Sequence, residues 1–191
     1  MTRKVSDKIF KVFANSNIYL ILDQKEGPIM IDAGDRSYHE QLDEDLKQII
    51  EPSKVSKVLL THLHYDHIGN LDLFKNAEFF AHDLEIKAMK KSGFEATLSD
   101  DIFEKFSIDI EFKPLPEKIC GMKVIHTPGH TVGSVCFFME QRKILFSGDT
   151  LFFGNNVGRT DLPTSIGNKL QDSLNQIMQL DFNILCPGHD Y

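Results

Sequence analysis

Short apolar runs separated by turn signals fill the first third of the chain: Ile9-Phe10-Lys11-Val12-Phe13, Ile18-Tyr19-Leu20-Ile21-Leu22 and Ile29-Met30-Ile31-Asp32. Their length and their β-branched and aromatic content predict successive strands, with Lys25-Glu26-Gly27-Pro28 as the hairpin turn between the last two. The period then changes. Tyr38, Leu42, Leu46, Ile49 and Ile50 recur at helical spacing until Pro52 stops the helix. A strand over 57–61, a short helix near 68–75, a strand over 77–81 and a helix over 83–91, ended by Gly93, follow by the same logic. Segment 94–107 is polar, acidic and weakly periodic, which predicts a surface excursion with at most a short helix. Beyond it the pattern predicts strands at 108–113, 122–126, 134–139 and 143–147, a helix over about 168–179 and a last strand at 182–186. No Gly/Ser-rich or Pro-rich linker parts the halves, so one domain spanning 1–191 is expected. Strands in two blocks, each with its own helices, fit an α/β fold of two packed sheets covered by helices on both outer faces.

At 191 residues a chain buries roughly two-thirds of its unfolded surface and needs no covalent staples. Cys120, Cys136 and Cys186 form no C-x-x-C pair and lie within apolar sequence. They read as reduced core thiols, which points to the cytoplasm. A formal net charge of −7 without any basic stripe argues against nucleic acid as a partner. No apolar stretch approaches the ~20 residues of a membrane span, and no apolar signal core follows the N-terminus. The expected partner is a small-molecule substrate.

The chemistry concentrates in Thr61-His62-Leu63-His64-Tyr65-Asp66-His67-Ile68-Gly69, directly after the apolar Val58-Leu59-Leu60. Imidazole and carboxylate are costly to crowd together unless something cationic compensates them, and they are the usual ligands of Zn, Fe and Mn. Further on, His130 sits in Thr127-Pro128-Gly129-His130, Asp149 in Ser147-Gly148-Asp149-Thr150 and His189 in Cys186-Pro187-Gly188-His189, each after an apolar run. Alternate residues of a flat strand face opposite ways, so His62 and His64 share an ion only from a loop. His39, at the start of an amphipathic helix, reads as solvated, whereas His82 and His126, at strand ends, read as hydrogen-bonded structural residues. Asp32 either ends a strand or orients a ligand.

The run H-x-H-x-D-H, followed in order by T-P-G-H, G-D-T and P-G-H, resembles the metallo-β-lactamase superfamily of binuclear metallohydrolases over nearly the whole chain. Gly158-Arg159-Thr160-Asp161-Leu162 further resembles the short glyoxalase II-like hydrolases and the related persulfide dioxygenases. The resemblance implies a four-layer αββα sandwich. It implies that His62, His64 and His130 bind one metal, that Asp66, His67 and His189 bind a second, and that Asp149 bridges them, with Asp66 and Asp149 counted as catalytic. The implied cofactors are two divalent ions, zinc first and iron or manganese as alternatives. The implied reaction is hydrolysis of a thioester of the acylglutathione type by a hydroxide shared between the ions. Arg159 either meets a substrate carboxylate or pairs with Asp161, and Tyr191 resembles the glyoxalase tyrosine after the last histidine. Two alternatives stand beside this: a dioxygenase with one Fe(II) held by His62, His130 and Asp149, and a non-catalytic metal-binding protein.

Overall fold

Successive residues of the central predicted strands part to opposite faces, and both faces are buried. In the computed structural model, which describes residues 2–22, 25–106 and 110–190, Tyr19, Ile21, Ile29, Ile31 and Leu59 meet Met122, Val135, Phe137, Ile144, Phe146 and Cys186 in one cluster. The residues between them, Ile18, Leu20, Met30 and Val58 on one side and Cys136, Phe138 and Leu145 on the other, point away into two further clusters. Strands buried on both faces read as continuous apolar runs without a polar alternation, as these do. The central cluster is the space between two sheets; the outer two lie beneath helices.

The first sheet holds β1 (Thr2–Ser6), β2 (Ile9–Ala14), β3 (Ser16–Leu22), β4 (Pro28–Ile31), β5 (Lys57–Leu59), β6 (Glu78–Ala81) and β7 (Phe112–Pro114), in that order. Strands β1 to β4 pair antiparallel, and β4 to β7 pair parallel. The second sheet comprises β8 (Lys118–Ile119), β9 (Met122–His126), β10 (Val135–Met139), β11 (Ile144–Gly148) and β12 (Ile184–Pro187). Its order is β12-β11-β10-β9-β8, with only β11 and β12 parallel. Helices α1 (His39–Lys47), α3 (Asp83–Lys91), α4 (Gly93–Thr97) and α5 (Asp100–Phe106) cover the first sheet through Leu42, Leu46, Met89, Ala96, Ile102 and Phe106. Helix α6 (Gly167–Ile177) covers the second through Ile177 and Leu174. This is the expected αββα sandwich.

Several expectations are corrected. Segment 94–107 is no surface excursion: it contributes α4 and α5, whose Ala96, Thr97, Ile102 and Phe106 are buried. Two short helices, parted by Leu98 in the left-handed region (φ 61°), bury too few residues each to show a period. The predicted strand at 57–61 ends at Leu59, and the helix near 68–75 is instead α2 (Tyr65–Ile68) plus a 3-10 turn at Leu71–Leu73. The strand expected at 108–113 begins at Phe112, and part of that expectation lies outside the described residues. Cys136 and Cys186 are buried thiols, but Cys120 is only half-buried, on the turn between β8 and β9. No helix among the described residues is long and apolar enough to cross a membrane.

Ile102→Ala should therefore cost about 2–4 kcal/mol in denaturant unfolding, the range for truncating a buried β-branched side chain. A change within about 0.5 kcal/mol, as for surface positions, would return the segment to the exterior.

Candidate metal centre

All seven proposed ligands stand on segments that leave strand ends. Asp32 and the His62 loop follow β4 and β5, which are parallel; Asp149 and His189 follow β11 and β12, the parallel pair of the other sheet. Crevices outside the carboxyl ends of parallel strands are where such sheets gather ligands, and here two sheets deliver theirs to one place. Because β5 stops at Leu59 and α2 starts at Tyr65, His62 and His64 occupy the intervening loop, as the spacing argument required. His130 comes from the loop between β9 and β10. The loops approach closely. Gly148 adopts φ 49°, and a Cβ there would collide with Thr61; a Cβ on Gly188 would collide with Asp149 Oδ1.

Ligand atoms of His62, His64 and His130 lie within 4.8 Å of one another, as do those of His62, His67 and Asp149, and those of Asp66, His67 and His189. His130 Nε2 is 3.0 Å from His64 Nδ1, near the roughly 3.3 Å between two nitrogens each ~2.0 Å from a tetrahedral ion. Asp149 reaches both groups: Oδ1 is 3.3 Å from His67 Nε2, and Oδ2 is 3.6 Å from His130 Nε2 and 3.5 Å from His189 Nε2.

The hydrogen bonds behind the rings decide which nitrogens face inward. His67 Nδ1 donates to Asp32 Oδ2 at 2.9 Å, leaving Nε2 for the site. The Thr61 hydroxyl also donates to Asp32 Oδ2, at 2.8 Å, so towards His62 Nδ1, 3.1 Å away, it can only accept; that ring nitrogen carries the proton and Nε2 carries the lone pair. His130 Nδ1 donates to the Arg159 carbonyl at 2.7 Å, again freeing Nε2. Asp32 is buried, with Oδ1 accepting from Thr61 N at 2.8 Å. It orients two proposed ligands, one of them through Thr61, a residue whose role the residue pattern does not reveal. Among the described residues, His62 Nε2, His64 Nε2, His67 Nε2 and Asp149 Oδ1 are buried without a hydrogen-bond partner. Orphaned acceptors of this kind, in a dry cluster of metal-ligand types, fit divalent ions.

Electrostatically the cluster has two halves. Burial, reinforced by the neighbouring histidines, pushes His62 well below the usual imidazole range and His64 down to about 3; burial also lowers His130. In the other half burial opposes charge, but Asp149, Asp32 and Asp66 outweigh it at His67, which is raised well above its usual value. His189 is raised to about 9 against the same burial by hydrogen bonds with Asp149 and Asp66. Burial works to raise Asp66 and Asp149, yet His67 and the other imidazoles hold both below the ordinary carboxylate range.

The remaining expectations divide. Arg159 and Asp161 form an exposed fork, Nε to Oδ1 and Nη2 to Oδ2, both 2.9 Å. Tyr191 lies outside the described residues. His39 bonds Arg36 and Asn70, His82 caps α3 by accepting from Leu84 N, and His126 bonds the Val132 carbonyl while stacking on His82. His82 and His126 thus have the structural partners expected, whereas His39, expected to be solvated, is half-buried and bonded as well.

The two halves should differ in proton release when metal binds. At pH 7.5 the His62, His64 and His130 set is already neutral, whereas His67 and His189 carry protons that a dication must displace. Calorimetric metal titration in buffers of different ionisation enthalpy should show one step releasing almost no protons and another releasing about two. Equal release in both steps would contradict this division.

Residues 12–189 match the family described as the metallo-beta-lactamase superfamily. A "Probable metallo-hydrolase" of Methanocaldococcus jannaschii is 33% identical over 187 residues, covering 92% of this chain and 87% of its own length. A hydroxyacylglutathione hydrolase of Francisella tularensis subsp. novicida is 33% identical over 146 residues, which are 72% of this chain but 50% of that enzyme. Among solved structures, a protein crystallised "in a di-iron-bound form" is 29% identical with a TM-score of 0.70, over 92% of this chain and 88% of that one. With the two-sheet architecture and the ligand-type residues in the family's order, the match over nearly its full length means that this chain belongs to the metallo-β-lactamase superfamily.

Proposed function

We propose that this protein is a metal-dependent hydrolase of small-molecule thioesters of the acylglutathione type. The observation that carries the reading is the double convergence of donors, one group around His64 and His130 and one around Asp66 and His189, with Asp149 within reach of both. In this reading His62, His64 and His130 hold one divalent ion, Asp66, His67 and His189 hold the other, and Asp149 stands between. Bound there, two such ions lower the pKa of a water towards neutrality and polarise a carbonyl. His and Asp donors without thiolate suit zinc, which we assign first, and also iron or manganese.

The protein's own side chains limit which bond can break. Asp32 and the Arg159 carbonyl fix the rings with lone pairs inward, and Asp66 and Asp149 are held ionised. Once the protons of His67 and His189 are displaced, the cluster is a set of acceptors with no proton to give a departing group. A thiol of pKa ~8.5 leaves as thiolate without one, which favours a thioester. Arg159, with Tyr191 beside the last histidine, is our assignment for the substrate's carboxylate end; the substrate would take the place of Asp161 in the fork. We assign a cytoplasmic setting, with Cys136 and Cys186 serving as buried core thiols.

S-lactoylglutathione should be cleaved under argon by metal-loaded protein containing about two ions per chain, at a rate rising with pH to a plateau. Oxygen consumption with glutathione persulfide, and no thioester cleavage under argon, would replace the hydrolase with the one-iron dioxygenase. Asp149→Ala should reduce kcat/KM by more than the ~10–100-fold typical of losing an outer partner, since it serves both ions. Arg159→Lys should raise KM more than it lowers kcat, because lysine keeps the charge and loses the fork; an unchanged KM removes Arg159 from the substrate.

A further inference from the structure

Helix α3 carries a buried carboxylate that belongs to neither donor group. Glu85 is 1% exposed, in the first turn of the helix, and its side chain runs inward to two loops of the other layers. Oε2 accepts from Leu63 N at 3.0 Å, and Oε1 accepts from Gly133 N at 2.8 Å. Leu63 is the residue between His62 and His64; Gly133 lies three positions after His130. The nearby Thr131 hydroxyl favours the ionised form of this carboxyl, and a Cβ on Gly133 would collide with it. One side chain thus ties together the two loops that present the three histidines. A glutamate in a helix's first turn is ordinarily solvated, and burying it carries a desolvation cost. The helix itself offsets part of that cost: His82 caps α3, Glu85 N donates to the His82 carbonyl at 2.9 Å, and the field of the helix N-terminus favours an anion there.

We propose that Glu85 is the positioning residue of the His62/His64/His130 group, fixing the distance between its two loops and thereby the metal affinity of that half of the centre. The inference rests on the metal-dependent reading above and adds to it a residue that touches no ligand and no substrate. It acts on one half only. His67 is held by Asp32, Asp66 by Ser16, and the His189 loop by the backbone bonds of Gly188 with Gly148 and Asn17.

Glu85→Gln keeps the volume but presents an amide N–H2 to one of two N–H donors, so one loop loses its acceptor. Leu46→Ala, in the core beneath α1, serves as a control of reduced stability far from the loops. Each protein is loaded with zinc, the occupancy of the two sites is read separately from anomalous diffraction at the metal edge, and the dissociation constants are measured by chelator competition. Glu85→Gln should weaken zinc binding at the three-histidine site by about 10–100-fold, the usual effect of an outer partner, while the Asp66 site and the Leu46→Ala protein stay close to wild type. Wild-type affinity at both sites of Glu85→Gln overturns the proposal, and so does an equal loss at both sites or a matching loss in Leu46→Ala. A wild-type protein that takes no metal at the three histidines defeats the metal-dependent reading itself; a loaded wild type with an unaffected Glu85→Gln defeats only the role of Glu85.

Discussion

Lone pairs of three imidazoles and the oxygens of two carboxylates converge on one dry space, and such a space is unstable without positive charge inside it. The chain meets that requirement unevenly. Where Asp66, Asp149 and Asp32 surround His67 and His189, protons supply the charge, and both rings are raised. Where His62, His64 and His130 face one another, Asp149 comes within 3.6 Å of His130 alone, and burial outweighs it and holds all three below the usual imidazole range. One proton can pair His130 Nε2 with His64 Nδ1, but His62 Nε2 and His64 Nε2 stay buried without a partner, and a cation from outside is the natural means of pairing them. The acidic half accepts either protons or a metal, so its occupancy depends on pH in a way the neutral half does not.

Much of the architecture follows from holding these groups in place. A parallel pair in each sheet ends at the same crevice, so Asp32 and His62 arrive from one sheet and Asp149 and His189 from the other. The central apolar cluster fixes the sheets against each other, and this sets the reach of Asp149 across both donor groups. Fine orientation comes from buried polar links: Asp32 through Thr61 to His62, Asp32 directly to His67, the Arg159 carbonyl to His130. Each also fixes a tautomer. The Arg159 backbone is thereby part of the centre whatever its side chain does.

The sequence made the layers and the ligand-type residues legible for different reasons. Strands such as Ile18-Tyr19-Leu20-Ile21-Leu22 are buried on both faces, so their apolar runs are unbroken and easily read. The donors were visible because histidine and aspartate seldom crowd within six positions for structural reasons, and because the four motifs kept the family's order. Helices α4 and α5 were not legible: each buries about one turn of side chain, too little to rise above their acidic surface. Thr61 and Glu85 were hidden by a different ambiguity. A hydroxyl ending a strand and a glutamate opening a helix are ordinary surface and capping choices, and only the meeting of distant loops shows that these two face inward. Asp32 was legible as an alternative and the structure resolves it, since its carboxylate is spent entirely on Thr61 and His67.

The same fold supports many chemistries, so fold alone leaves the reaction open; the polarity of the cluster narrows it. Every group fixed by an outer hydrogen bond turns an acceptor inward, and the two carboxylates are held ionised by the imidazoles beside them. When a metal displaces the protons of His67 and His189, the last acidic hydrogens leave the interior. A substrate that needs its leaving group protonated then finds no donor among these residues, whereas one that departs as a stable anion needs none. Under the proposed hydrolysis, the acidity of the leaving group would be the selecting property. A thiolate, with its conjugate acid near pKa ~8.5, passes that test far more readily than an alkoxide or an amide nitrogen.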